Sequence, residues 1–98
     1  MTFHIPPRVK LGGVEYAVEW VKDLRDHRGE RCWGTWGIAG PVRIDAALKH
    51  CPGEAADTLL HEVIHILNYQ MKLDLSEETV CRLSRGLTAF LADNKVVK

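Results

Sequence analysis

The sequence predicts one small α+β domain over residues 1–98: about three strands in an antiparallel or mixed sheet, packed on two helices. Three observations predict it. Apolar residues alternate with period two in the first half of the chain. They recur every three to four residues in the second half. The 98 residues suffice for one hydrophobic core but not two.

The elements follow in order. Val9–Leu11 and Val14–Val21 read as strands joined at Gly12-Gly13, a pair that tolerates the positive φ angles of a two-residue hairpin turn. Val14, Tyr16, Val18 and Trp20 alternate with Glu15, Ala17, Glu19 and Val21, so one face is expected to be buried. The charged stretch Asp23–Arg31 reads as a solvated loop. Cys32–Ile44 carries one or two short strands interrupted by glycines, the clearest being Val42–Asp45. Trp33 and Trp36 lie in this stretch and are expected to pack in the core or a hairpin. Pro52-Gly53 breaks the chain. A helix is then expected from about Glu54 to Gln70, with Ala56, Leu59, Leu60, Val63, Ile64 and Leu67 forming its apolar stripe. Ser76 is a good N-cap for a second helix, and Glu77 and Glu78 suit its electropositive first turn. Val80, Leu83, Leu87 and Leu91 make the stripe of that helix, and Asp93–Lys98 reads as a frayed tail.

Composition excludes several function classes. Hydrophobic residues make up 46% of the chain, enough to bury a core. The 13 basic and 13 acidic residues cancel, which argues against a nucleic-acid partner. No run approaches the roughly 20 apolar residues of a membrane span, and Met1–Lys10 lacks the apolar stretch of a signal peptide. Cys32, Cys51 and Cys81 form no CxxC pair and read as small buried hydrophobes in a reducing cytosol.

The chemistry-bearing motif is His61-Glu62-Val63-Ile64-His65, an HExxH sequence inside the expected first helix. Residues i and i+4 lie one above the other on a helix face, so both imidazoles can reach one ion. Neutral imidazole suits zinc. Glu62, beside the first histidine, is placed to take a proton from a water polarised by that ion. This composition yields only about 0.02 such matches by chance. A third protein ligand is needed for a catalytic site. No further histidine follows in a metzincin-like pattern, which leaves Asp74, Glu77 and Glu78. Glu77 lies three residues before Val80 on the expected stripe and is the first candidate; Glu78 is the second. Both would equally serve the helix dipole. Asp57, four residues before His61, is a candidate hydrogen-bond acceptor for a ligand imidazole. Tyr69 is a candidate donor to a developing oxyanion. His50 is an alternative ligand, while His4 and His27 have no evident partner.

The stretch from Thr58 to Leu67, with Leu75-Ser76-Glu77-Glu78 and Leu83–Leu87, resembles minimal gluzincin-type HExxH zinc metallopeptidases. These are often phage- or prophage-encoded and similar in outline to the enzymes that cleave immunity repressors of mobile elements. The resemblance is best over residues 58–93. The glycine hairpin followed by the Ile44-Asp45 strand is also similar. It implies that His61, His65 and Glu77 (or Glu78) bind Zn²⁺, that Glu62 is the general base, and that the substrate is a protein or peptide in the cytoplasm of a host cell. It further implies that an edge strand near the motif helix holds the substrate extended, with Val42–Asp45 as the candidate. Two other classes compete. One is a non-catalytic, zinc-stabilised protein-interaction module. The other is a DNA-binding phage regulator, which the neutral charge and the lack of a helix-turn-helix disfavour.

Overall fold

Four strands and two helices succeed one another in the computed structural model, which describes residues 4–38 and 40–94. They are β1 (Arg8–Leu11), β2 (Val14–Val21), β3 (Gly34–Thr35) and β4 (Val42–Asp45), then a 3₁₀ helix (Ala46–His50), α1 (Pro52–Met71) and α2 (Glu77–Asp93). The sheet order is β1-β2-β4-β3. β1 and β2 form the antiparallel hairpin, with Leu11 opposite Val14. β2 and β4 are parallel, with Trp20 opposite Ile44. β3 is antiparallel to β4. The fold is thus α+β with a mixed sheet of four strands, one more than the sequence suggests. Parallel neighbours cannot be joined by a hairpin, so residues 22–41 cross over from β2 to β4 and contribute β3 on the way.

Alternation in β2 buries Tyr16 and Val18. They meet Val42 and Ile44 of β4, Leu48 of the 3₁₀ helix, and Ala55, Leu59 and Ile66 of α1. Each fully buried Val or Ile contributes about 1.5–3 kcal/mol relative to exposure. The sheet-facing line of α1 is therefore Ala55-Leu59-Glu62-Ile66, at steps of three and four, and it contains a carboxylate. Glu62 is 5% exposed.

Two polar clamps fix the C-terminal end of α1. Gln70 Nε2 donates to Leu11 O (3.2 Å) and the Tyr16 hydroxyl (3.2 Å), tying the hairpin to the last turn of the helix. A side chain at Gly12, where φ is +55°, would strike Gln70 Oε1 at 2.8 Å. Asn68 Oδ1 accepts from Leu75 N–H (3.0 Å), holding the short turn between the helices. Ser76 then caps α2 by accepting from Thr79 N–H (3.1 Å).

Three expectations change. Val42–Asp45 is an internal strand between β2 and β3, so it cannot be the peptide-accepting edge; on this side of the sheet the edge is β3. The buried residues of α2 are Val80 and Ser84, whereas Leu83 and Leu87 are 42% and 43% exposed. α2 packs chiefly on α1 rather than on the sheet, so the leucines on its outer side stay uncovered. Third, Asp93 belongs to α2, while Lys95–Lys98 of the expected tail lie outside the described residues, as do Met1–Phe3 and Ala39. No described helix is long and apolar enough to cross a membrane.

Candidate metal centre

His61 and His65 stand one turn apart on α1, and their rings meet edge to face at 4.8 Å between centroids. Their Nε2 atoms are 3.2 Å apart. The Asn68 clamp and the Ser76 cap bring the first turn of α2 over this pair. Glu77 therefore lies with Oε1 2.8 Å from His61 Nε2 and Oε2 2.9 Å from His65 Nε2. These three are the one metal-competent cluster of His, Cys, Asp or Glu found among the described residues. Zn–N bonds of about 2.0–2.1 Å separate tetrahedral donor atoms by roughly 3.3 Å. The observed spacings of 2.8 to 3.2 Å need only a small expansion to reach that value. Two imidazoles and one carboxylate also match zinc in donor type. The site fits the ion.

Glu62 lies beside this cluster on the sheet side. Burial, and then the negative charge of Glu77, push its carboxyl up to about 8. Burial lowers the proton affinity of His65, against the pull of Glu77, and so favours the neutral imidazole that a metal needs. The backbone of β3 packs directly on Glu62. A Cβ at Gly34 would meet Thr58 Cγ2 at 2.7 Å and Glu62 Oε2 at 2.8 Å, so only glycine lets the strand approach this closely.

Two cavities flank the cluster. One of about 290 Å³ runs between α1 and α2 and is lined by Cys32, Trp33, Asp57, Cys81 and Arg85 together with His61 and Glu62. The other, about 550 Å³, lies under the crossover and is lined by Arg25, His27, Trp36 and Arg43 together with His61, Glu62 and His65. The candidate site thus sits in a cleft whose far wall is the 22–41 segment.

The structure places the remaining candidates as follows. Glu78 points away, pairs with Arg82 at 2.7 Å, and does not join the cluster. Asp57 lines the smaller cavity, but its Oδ1 is buried without a hydrogen-bond partner. The group facing His61 Nδ1 is instead Cys81 Sγ, at 3.8 Å. Tyr69 is 52% exposed and rests against Trp36 at 6.0 Å, on the rim. His50 ends the 3₁₀ helix, outside the cluster.

Two contributors were missed. Trp36 packs against the core, as expected, and its ring also lies nearly parallel to that of His65, at 8° and 6.1 Å. Trp33, by contrast, is not core: it is exposed, with the Arg31 guanidinium over its ring. Cys81, expected to be a small buried hydrophobe, is only half-buried and touches two members of the cluster. Burial and the neighbouring Glu77 raise its thiol above the usual range, so it stays protonated. Its spacing of four from Glu77 was a usable signal. Comparison with family models, curated proteins and solved structures finds no match to this chain.

Proposed function

We propose that this chain is a zinc-dependent peptide-bond hydrolase in which His61, His65 and Glu77 hold the ion and Glu62 is the general base. The observation that carries the reading is the convergence of His61 Nε2, His65 Nε2 and the Glu77 carboxylate beside the buried Glu62. Bound there, zinc would act as a Lewis acid, polarising a carbonyl oxygen and making a water more acidic.

The chain's own residues supply the rest. Glu62 takes the proton of the attacking water and returns it to the leaving amine nitrogen. A carboxyl buried enough to titrate near 8 suits a group that must both accept and release a proton; its proton affinity falls beside a cation. Trp36 stacks over the His65 ring, and the Glu77 carboxylate meets the same ring at Nε2. The β3 edge, fastened against Glu62 through Gly34, offers main-chain donors and acceptors to a peptide in extended form. Such a peptide would lie along the cleft between the crossover and α1.

A second reading has its own observation. Glu77 links α2 to both imidazoles of α1, and α2 exposes Leu83, Leu87 and Phe90 on one side. A zinc clip that merely positions this surface for a partner protein has no need of a base at residue 62.

The test is zinc content by plasma mass spectrometry, followed by hydrolysis of a peptide library with Glu62→Gln as control. The expected result is about one zinc per chain in both proteins, with hydrolysis lowered about 10²- to 10⁴-fold in the variant. Hydrolysis that survives Glu62→Gln at full zinc occupancy overturns the mechanism. A fully loaded wild type that cleaves nothing favours the clip. Failure to take up micromolar zinc sinks both.

A further inference from the structure

A histidine that binds a metal through Nε2 carries its proton on Nδ1. That N–H needs an acceptor to fix the tautomer and the ring plane. For His61 the obvious acceptor by spacing is Asp57, one turn earlier on α1. Asp57 does not serve: no hydrogen bond joins it to the ring, and its Oδ1 is buried and unpartnered. The atom that faces Nδ1 is Cys81 Sγ, at 3.8 Å. The same sulfur lies 3.8 Å from Glu77 Oε1. Cys81 follows Glu77 by four on α2, so it sits one turn further along the same face.

We infer that Cys81 is a positioning residue for the metal centre proposed above, on which this inference rests. Its sulfur accepts the Nδ1–H of His61, and its S–H donates to Glu77 Oε1. One neutral side chain thereby orients two of the three ligands, one from each helix. The geometry also separates holding from ligating. The atoms that converge are the two Nε2 atoms and the Glu77 carboxylate. Cys81 touches His61 on the opposite side of the ring, at Nδ1. A thiol is a weak donor and a weak acceptor. It therefore sets orientation without adding a negative charge next to Glu77, as a carboxylate in its place would.

The experiment measures zinc affinity by competition with a chromophoric chelator for wild type, Cys81→Ala, Cys81→Ser and Cys51→Ala, and records the cobalt(II) spectrum of each. Removing the acceptor of a ligand histidine costs about tenfold or more in affinity. Cys81→Ala is therefore expected to bind about tenfold more weakly, with unchanged stoichiometry. Cys81→Ser keeps a donor and an acceptor and is expected to recover to within about threefold of wild type. Cys51→Ala, which removes an exposed thiol at the start of α1, is expected to match wild type. Wild-type cobalt protein should lack a thiolate-to-metal charge-transfer band.

The inference is overturned if Cys81→Ala binds zinc as tightly as wild type, or if Cys81→Ser is as weak as Cys81→Ala. A charge-transfer band that disappears with Cys81 also overturns it, because the thiol would then be a ligand. Were Cys81→Ala to lose its metal-free thermal transition, Cys81→Ser and the wild-type spectrum would decide. A wild type that takes up no metal defeats the metal centre itself, and this assignment with it. A wild type that loads normally while Cys81→Ala is unaffected defeats only the role of Cys81.

Discussion

The two faces of α1 are built on different principles. The face toward the sheet is apolar and closely packed: Ala55, Leu59 and Ile66 interlock with Val18, Val42 and Ile44, and Glu62 is inserted into that line. The face toward α2 buries few side chains of its partner. Val80 and Ser84 are the buried residues of α2, and the joint relies on Asn68, Ser76 and the contacts of Glu77 with two imidazoles. The difference separates two roles that share one site. The proposed base, Glu62, sits on the closely packed sheet side, where burial above all raises its proton affinity. The proposed third ligand, Glu77, sits on the side held by polar contacts, where a bound ion would add to the joint.

This contrast can be broken or sharpened by substitution. Ile44→Ala, on the sheet side, is expected to cost about 2–5 kcal/mol in chemical denaturation, enough to endanger a domain of this size. A loss under 1 kcal/mol would show that the sheet side is not the closely packed one. Next comes the ion. At free zinc a hundredfold above Kd, wild type is expected to gain about 2.7 kcal/mol. Glu77→Ala should lose that gain and cost at most about 1 kcal/mol without metal, whereas Glu78→Ala should keep it. Calorimetry with and without zinc reads both. Asn68→Ala removes the acceptor of Leu75 N–H and is expected to cost about 1 kcal/mol, and also to weaken zinc binding by misplacing Glu77. Smallest is Leu87→Ala on the outer face of α2, expected to change stability by less than about 0.5 kcal/mol. A larger loss from Leu87→Ala would mean that this face is covered in solution.

Local chemistry made much of this legible in the sequence. Gly12-Gly13 marks the hairpin, Ser76 marks the start of α2, and the HExxH spacing places His61, Glu62 and His65 on one helix. Glu77 was reachable from its step of three before Val80, although the stripe used to argue it was partly misplaced. What stayed hidden depends on contacts between distant segments. The pairing of β2 with β4 makes Val42–Asp45 internal and leaves two-residue β3 as the edge, and no short-range pattern encodes that order. Leu83 and Leu87 have helical spacing, but periodicity does not say whether a partner surface exists. Glu62 escaped the apolar stripe because hydropathy counts a carboxylate as exposed, while here it takes the place of an apolar residue between Leu59 and Ile66. Trp36 and Cys81 escaped because their partners, His65 and His61, lie on another element.

The crossover has one more consequence, for how such a chain diversifies. Residues 22–41 leave β2 and return to β4, and both ends are anchored in adjacent parallel strands. The anchors include Asp45, whose carboxylate accepts from Leu24 N–H and Arg31. Between them the segment forms the wall opposite His61 and Glu62. Doubling the length of a flexible loop adds only about 0.6 kcal/mol of closure entropy. Insertions between Arg25 and Arg31 would therefore reshape the cleft while leaving the core and the α1–α2 joint as they are. Under the proposed function, selectivity would drift in that segment independently of the His61, His65 and Glu77 cluster, and loop grafts there are the natural starting point for redirecting it.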